Sequence, residues 1–505
     1  MVHKKFEVLE KLIENNKYDV IILGAGPSGI FCAYELLKLN LYKKILLIDQ
    51  GKRMECRSCP VEKLGHCIKC KPFCNITSGF SGAGAFSDGK LLSYHKSLYN
   101  QATGDFYLGG NNGSVIKDTM TNSDIKDLID YTDGVYLGFG ADTNLHGTEH
   151  RKEIEALQKK AKKCDIELID IPIRHMGTEK AHVIFSKIQQ HLVDAHKVDL
   201  KCEVTATELI IENGKVKGVQ TVLSDEAHNE NAHITEYYSD QVILAVGRKG
   251  ADWLSRICVE REIKSKTGPV DIGVRYELAD KTMEKINEYL YEGKFIGRPK
   301  PFEDKVRTFC QNPSGFVTNE VYDDGLVLVN GHSYKDKKTK NTNLAILVSH
   351  TFLEPLRKPI QYGINVAENT NQLADGRVLV QRLGDICKGK RTWPHELEKN
   401  SVEPTLKSAV AGDITYALGY RTMVDIIEFI KSIDKVVKGF FHPDNLLYAP
   451  EIKFYSNMVI VDKNFETNIE GLHCIGDGGG LTTGLMMASA SGVQMARILK
   501  DKKKK

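Results

Sequence analysis

The chain has 505 residues, more than one compact core holds, and ~150 residues per domain points to about three domains. A hydrophobic share of 41% excludes disordered, collagen-like and coiled-coil readings. Lys+Arg 69 against Asp+Glu 66 leaves +3, so no large global field steers a nucleic acid in, and none is expected as a partner.

The first residues, 1–18, read as a polar lead-in helix without the apolar core of a signal peptide. Tyr18–Leu23 is a short apolar strand, Gly24–Gly29 a tight glycine turn, and Ser28–Asn40 a helix with Ile30, Ala33, Leu36 and Leu37 at helical spacing. Ile45–Ile48 is a second strand, ending in Asp49. Residues 53–76 interrupt the pattern with Cys, Lys and Pro, and a second glycine-rich stretch runs from Ser78 to Leu91. Residues 114–165 look mostly helical, Glu167–Pro172 strand-like, and Thr178–His196 helical with Thr178 as N-cap. Thr207–Ile211 and Val216–Val222 flank an Asn213-Gly214 turn, a hairpin signal. A polar loop, 224–236, leads to the buried-type strand Asp240–Gly247. Residues 268–440 mix strands and helices, Glu470–Gly480 is a strand and glycine loop, and Leu485–Leu499 is a final helix. The longest apolar runs, Val242–Val246 and Leu344–Val348, are far below the ~18 residues of a membrane span. A cytoplasmic location is expected. The basic runs Lys335–Lys340 and Lys502–Lys505 read as a solvated loop and a tail.

Gly24-x-Gly26-x-x-Gly29 follows a strand and opens a helix, with Asp49 20 residues after Gly29 at the end of the next strand. In that frame the motif signals a dinucleotide site. Gly24 permits the sharp turn, Gly26 lets the backbone approach a pyrophosphate, and Gly29 lets the helix pack on the strand. The helix N-terminus, from Pro27 and Ser28, offers N–H groups and a positive dipole to phosphates. Asp49 is placed to accept from the adenosine ribose hydroxyls.

The far end carries Thr467-x-x-x-Gly471-Leu-His-Cys-Ile-Gly476-Asp477, which resembles the signature of the glutathione-reductase-type FAD flavoproteins. The resemblance implies that Asp477 bonds the flavin ribityl chain. Gly478–Gly484, with Thr483 and Gly484, is similar to the loop that brings N–H groups and a helix dipole to the flavin edge where reduction places charge. Ala245-Val246-Gly247 matches a strand-end element of the same proteins, and Val204 sits where they set main chain against adenine. More narrowly, Ala83-Gly84-Ala85-Phe86-Ser87-Asp88-Gly89-Lys90-Leu91 resembles an uncharacterised FAD-dependent dehydrogenase family with a GGAGxFSDGKL block, in which Ser81 here replaces a Gly. Asp271–Glu277, Thr308–Gly315, Asn330-Gly331-His332 and His175–Glu179 fit it too. By position, Gly82, Gly84, Ser87, Asp88 and Lys90 are expected near the flavin.

The resemblance implies an α/β fold: a Rossmann-like FAD-binding domain assembled from discontinuous segments, with a mixed α+β substrate/cap domain. The expected pieces are 1–97 (with the Cys-rich loop 53–76), a helical insertion 98–167, then 168–267, the substrate/cap domain 268–439, and 440–505. The implied function is an FAD-dependent oxidoreductase or dehydrogenase passing hydride or electrons between a small organic substrate and flavin, with NAD(P)H or a redox protein as a possible electron partner. A flavin-dependent RNA-modifying enzyme and a non-catalytic redox sensor or electron-transfer protein are the alternatives. No second GxGxxG unit appears, so no dedicated NAD(P) domain is expected. Cys32 stands alone in its helix, which disfavours a disulfide reductase.

Five cysteines fall within residues 56–74. Cys59, Cys67, Cys70 and Cys74 are the chosen ligands for zinc or an iron–sulfur cluster, with Cys56 spare, and a set of free or redox-active thiols is the competing reading. In the substrate domain Cys310 is a candidate redox thiol and His332 a candidate proton donor. Arg275 either binds an anionic substrate or pairs with an acid such as Glu277.

Overall fold

The computed structural model describes residues 14–60, 68, 70–87, 89–93, 120–170, 172–266, 268, 270–290, 292–321, 325–333, 337–350, 352, 359–454 and 458–503. The chain forms two compact units, residues 1–144, 173–268 and 456–505 in the first and 145–172 and 269–455 in the second.

The first unit is built on a parallel sheet of five short strands: β1 (Val20–Leu23), β2 (Ile45–Asp49), β3 (Val198–Cys202), β4 (Val242–Leu244) and β5 (Leu472–Cys474). Their order is β5-β4-β1-β2-β3. All four pairings are parallel, with Ile21 opposite Leu46 on one side and Val242 on the other. β1, β4 and β5 are wholly buried, the mark of a sheet covered on both faces; β1 and β4 are continuous apolar runs, and β5 buries His473 between Leu472 and Cys474. The chain leaves β1 for β2 on one side and returns later as β4 on the other. The carboxyl end of β1 is therefore the switch point where open α/β sheets bind ligands.

Helix α1 (Pro27–Lys38) follows β1, α2 (Thr178–Asp194) precedes β3, and α3 (Leu485–Lys503) follows β5. Gly492 is what lets α3 lie on α1, since a Cβ there would stand 2.1 Å from the Ser28 carbonyl oxygen. The N-cap of α2 is Gly177 at φ +72°, not Thr178, which is the first helical residue. The Asn213-Gly214 turn forms as expected, both residues left-handed, but its hairpin runs longer, from Val204–Glu212 to Lys215–Leu223. A third strand, Thr235–Tyr238, pairs with it, beginning within the last two residues of the expected 224–236 loop.

The second unit holds an eight-stranded sheet. Its central strand, Val270–Ala279, pairs antiparallel with both Asn341–His350 and Leu446–Phe454. Val270, Ile272, Val274, Tyr276 and Leu278 join the apolar core on one face. Asp271, Arg275 and Glu277 alternate onto the other face and are equally buried. The register with Leu446–Phe454 places residues 440–455 in this unit, although they were expected in the flavin domain. The expected 98–167 insertion is likewise divided: Asn122–Gly138 belongs to the first unit and Arg151–Lys162 to the second. No helix among the described residues is long and apolar enough to cross a membrane.

Candidate functional site

The glycine turn after β1 is shaped by close approaches. A Cβ on Gly24, at φ +103°, would stand 2.2 Å from the Ala245 carbonyl oxygen, and one on Gly29 would stand 1.9 Å from that of Gly24. Gly26 differs. Among the described residues nothing beyond its chain neighbours lies within 4 Å of the Cβ it lacks, so its missing side chain leaves open space beside the start of α1. Gly26 is the N-cap and no side chain caps the helix. Pro27 follows at N1, and the buried Ser28 and Gly29 complete the first turn.

Asp49 ties this turn to two others. Its Oδ2 accepts from Ala25 N at 2.9 Å and its Oδ1 from Gly51 N at 2.8 Å, and the Gly79 N–H adds a third bond. Burial pushes the carboxyl up, and these N–H groups together with the nearby Arg57 oppose that shift. A carboxylate offers about four acceptor positions, so a ribose hydroxyl would meet one that is left over. Val204 lies at the same end, since Glu203 N donates to Gly51 O at 2.8 Å.

The second glycine-rich stretch folds directly onto the first. Ser81 N donates to Ala25 O at 2.7 Å, and a Cβ on Gly82 would be 3.5 Å from Gly26 Cα. The loop is held by Arg57, which sequence reasoning passed over. Its guanidinium donates to the carbonyls of Asn75 (2.9 Å), Ile76 (2.6 Å), Gly82 (2.7 Å) and Phe80, and to Ser81 Oγ (2.9 Å). Arg57 is 4% exposed, and burial pushes its pKa down to about 10. A lone Arg between Cys56 and Ser58 carries no periodic signal; its role exists only once the loop wraps it.

The rest of the expected block is engaged with protein. Gly84 packs against Phe185 and Leu485, Ser87 Oγ donates to Gly84 O at 2.9 Å, and Lys90 lies in a strand opposite His175. Asp88 lies outside the described residues.

The C-terminal block reaches the same sheet edge. Gly476, at φ +78°, leaves no room for a Cβ, which would stand 2.4 Å from Ser28 Oγ. Asp477 Oδ1 accepts from Thr482 Oγ1 at 2.7 Å and Oδ2 from Gly484 N at 3.1 Å, with Arg248 Nη2 3.5 Å away. Burial pushes this carboxyl up, against Arg248 and those bonds. Thr482 is thus the threonine that holds Asp477, while Thr483 is half-buried beside it. Gly247 and Gly484 both have positive φ and, like Gly26, open space where a Cβ would stand. Gly478 lies against Gly247, its absent Cβ 2.4 Å from the Gly247 oxygen. The structure therefore brings together Gly24, Gly26, Pro27, Ser28, Gly29, Asp49 and Gly82 on one side and Gly247, Gly476, Asp477 and Gly484 on the other, around the carboxyl ends of β1, β4 and β5.

The cysteine cluster falls only partly within the described residues. Among the described residues no three Cys, His, Asp or Glu side chains are placed to hold a metal ion. Cys59, Cys70 and Cys74 are half-buried free thiols, and Cys67 lies outside the described residues.

In the second unit, Cys310 takes a left-handed conformation, φ +48°, at an irregularity in the strand Val306–Asn312. Its carbonyl accepts from Arg275 Nη2 at 2.7 Å. Arg275 is fully buried and bonds Asn343 Oδ1 at 2.7 Å and Glu451 at 3.5 Å; Glu277 is turned instead to Thr405, Tyr448 and Asn341. Gly331 lies against the same guanidinium, and His332 after it is exposed. Three of the sequence blocks singled out above thus meet at Arg275.

Residues 271–453 match the family described as "FAD-dependent protein, C-terminal domain-like". That range falls within the second unit, and the match supports FAD as the cofactor. An uncharacterised protein of Clostridium beijerinckii is 23% identical over 527 residues, covering 99% of this chain and 84% of that one. Among solved structures, a formate oxidase overlaps at TM-score 0.44 with 11% identity, covering 97% of this chain and 99% of its own. Quinol fumarate reductase of E. coli overlaps at 0.43 with 13% identity (96% and 70%). L-proline dehydrogenase from P. horikoshii overlaps at 0.38 with 10% identity (96% and 94%). At these TM-scores the likeness is too loose to transfer an activity.

Proposed function

We propose that the chain is an FAD-dependent oxidoreductase that exchanges hydride or electrons with a small organic substrate. The observation that carries the reading is the meeting of residues 24–29, 78–82 and 476–484, more than 450 residues apart at their extremes, at the switch point of one parallel sheet. The open positions at Gly26, Gly247 and Gly484 fit a ligand that needs backbone on several sides. In this reading the α1 N-terminus and Gly82 receive the diphosphate, and Asp49 and Val204 lie at the adenosine end. Asp477, positioned by Thr482, accepts from the ribityl hydroxyls. The N-terminal turn of α3 offers N–H groups and dipole to the ring edge that becomes electron-rich on reduction. The bound flavin supplies the redox chemistry; the protein orients it and stabilises charge.

The test is anaerobic. The purified yellow protein is mixed with NADH, NADPH and a panel of amines, 2-hydroxy acids and enoates, and flavin bleaching is followed. Bleaching by one class followed by multiple turnovers with an acceptor is expected. Protein that binds FAD yet neither bleaches with any donor nor turns over contradicts an enzymatic role.

A further inference from the structure

The turn after β4 places a cation beside the residues assigned to FAD. Gly247, at φ +63°, leads into the short turn Arg248–Gly250. This turn is locked against the one after β5, since a Cβ on Gly478 would stand 2.4 Å from the Gly247 oxygen. Arg248 is thereby held beside Asp477, with Nη2 3.5 Å from Oδ2. The Arg248 side chain is 56% exposed and that of Asp477 only 18%. At 3.5 Å the pair lies beyond a good hydrogen bond, so it acts mainly through charge.

An ion pair with one exposed partner adds little to stability. Its effect on Asp477 is larger. Burial pushes that carboxyl up, and Arg248 is the foremost group holding it down, ahead of Thr482 Oγ1 and Gly484 N. Among the described residues no other charged side chain pairs with Asp477. α1 and α3, whose N-termini meet the same turn, have no charged residue in their first turns. The helix Ala251–Glu260 packs on the turn as well. Its Arg256 pairs with Glu208 and Glu260, while Asp252 and the preceding Lys249 are exposed.

Ionisation decides what Asp477 can accept. Thr482 Oγ1 and Gly484 N already donate to it, so a ribityl hydroxyl needs a lone pair that only a carboxylate has to spare. A proton on this group turns an acceptor position into a donor. Building on the flavin reading above, we propose that Arg248 is a positioning residue that keeps Asp477 ionised for FAD, and so sets the pH below which the cofactor is lost.

The test measures the dissociation constant of FAD from the flavin-free full chain between about pH 5 and 9. The parent is compared with Arg248→Gln, Arg248→Lys and Asp477→Asn, so that any titration of FAD itself cancels. Arg248 is exposed, and far-ultraviolet circular dichroism is expected to be unchanged by its substitution. Arg248→Gln should match the parent at the alkaline end and lose affinity about 1 pH unit higher, binding ~10-fold more weakly below both midpoints. Arg248→Lys should restore the parent's curve. Asp477→Asn should bind weakly, with no such fall. Superimposable curves for the parent and Arg248→Gln overturn the proposal and leave the flavin reading standing. An equal loss at every pH also overturns it, and marks Arg248 as a direct contact of the diphosphate. A parent that takes up no FAD at any pH overturns the proposal together with the reading beneath it.

Discussion

Arg57 and Gly331 show how much rests on single residues. Arg57 satisfies five acceptors of one loop with one buried guanidinium. Arg57→Met leaves those carbonyls without donors, at a cost of about 2–4 kcal/mol, and the loop that abuts Gly26 should lose its shape. Urea unfolding and the flavin retained through gel filtration check this; unchanged values in both would contradict it. Gly331→Ala would place a Cβ 1.8 Å from Arg275 Nη2 and 2.3 Å from Asn343 Oδ1. Arg275 has no exposed surface into which to swing, so a loss of at least ~2 kcal/mol is expected in a thermal melt. The three glycines of the first motif could be read from spacing: Gly24 and Gly29 answer close backbone approaches, and Gly26 keeps space open at the helix start. Arg57 and Thr482 could not. Their partners are loop carbonyls and a carboxylate whose positions arise only on folding, and Thr482 and Thr483 are indistinguishable in a sequence of glycines.

Among the elements, the helix Tyr420–Asp434 carries a group that fixes its response to pH. Asp425 is fully buried, and among the described residues neither carboxylate oxygen has a hydrogen-bond donor. Its neighbour Asp304, bound to Arg421, is another acceptor, so the two carboxyls are joined only when one holds a proton. Burial, then Asp304, push Asp425 up to about 7, while Arg421 opposes them; His350, bonded to Thr422 at 3.1 Å, is held down by burial. A carboxyl whose folded pKa is raised contributes stability in full below its unfolded value of ~4 and loses it as pH rises through 7. Asp425→Asn should therefore match the parent only below about pH 4 and gain on it steadily up to pH 8, where it exceeds it by roughly 1–4 kcal/mol. Equal pH slopes for the two proteins would contradict this. Apolar period and Asn-Gly chemistry made the β-α-β unit and the hairpin legible. The strand Thr235–Tyr238 was hidden because an edge strand of four half-polar residues looks like the loop before it. The ownership of Leu446–Phe454 was hidden because pairing across 170 residues leaves no local mark.

For the molecule as a whole, the central claim is that remote segments close around one FAD. Motif order along the chain suggested it, and the parallel sheet gives it a physical basis: β1, β4 and β5 lie side by side, so their carboxyl-end turns must meet. The cysteine cluster was read from spacing alone; Cys67 lies outside the described residues, and those that are described form no metal-holding group. The same logic yields a clean probe. Among the described residues nothing beyond its chain neighbours lies within 4 Å of the Cβ that Gly26 lacks, so Gly26→Val projects into the space proposed for the diphosphate.

The most direct measurement is a calorimetric titration of FAD into the flavin-free chain, in parallel with Gly26→Val and Asp477→Ala. One FAD per chain is predicted for the parent, at least ~100-fold weaker binding for Gly26→Val with its far-ultraviolet circular dichroism unchanged, and weakened binding for Asp477→Ala. Equal affinities in all three proteins, or no uptake of FAD by the parent, would contradict the account.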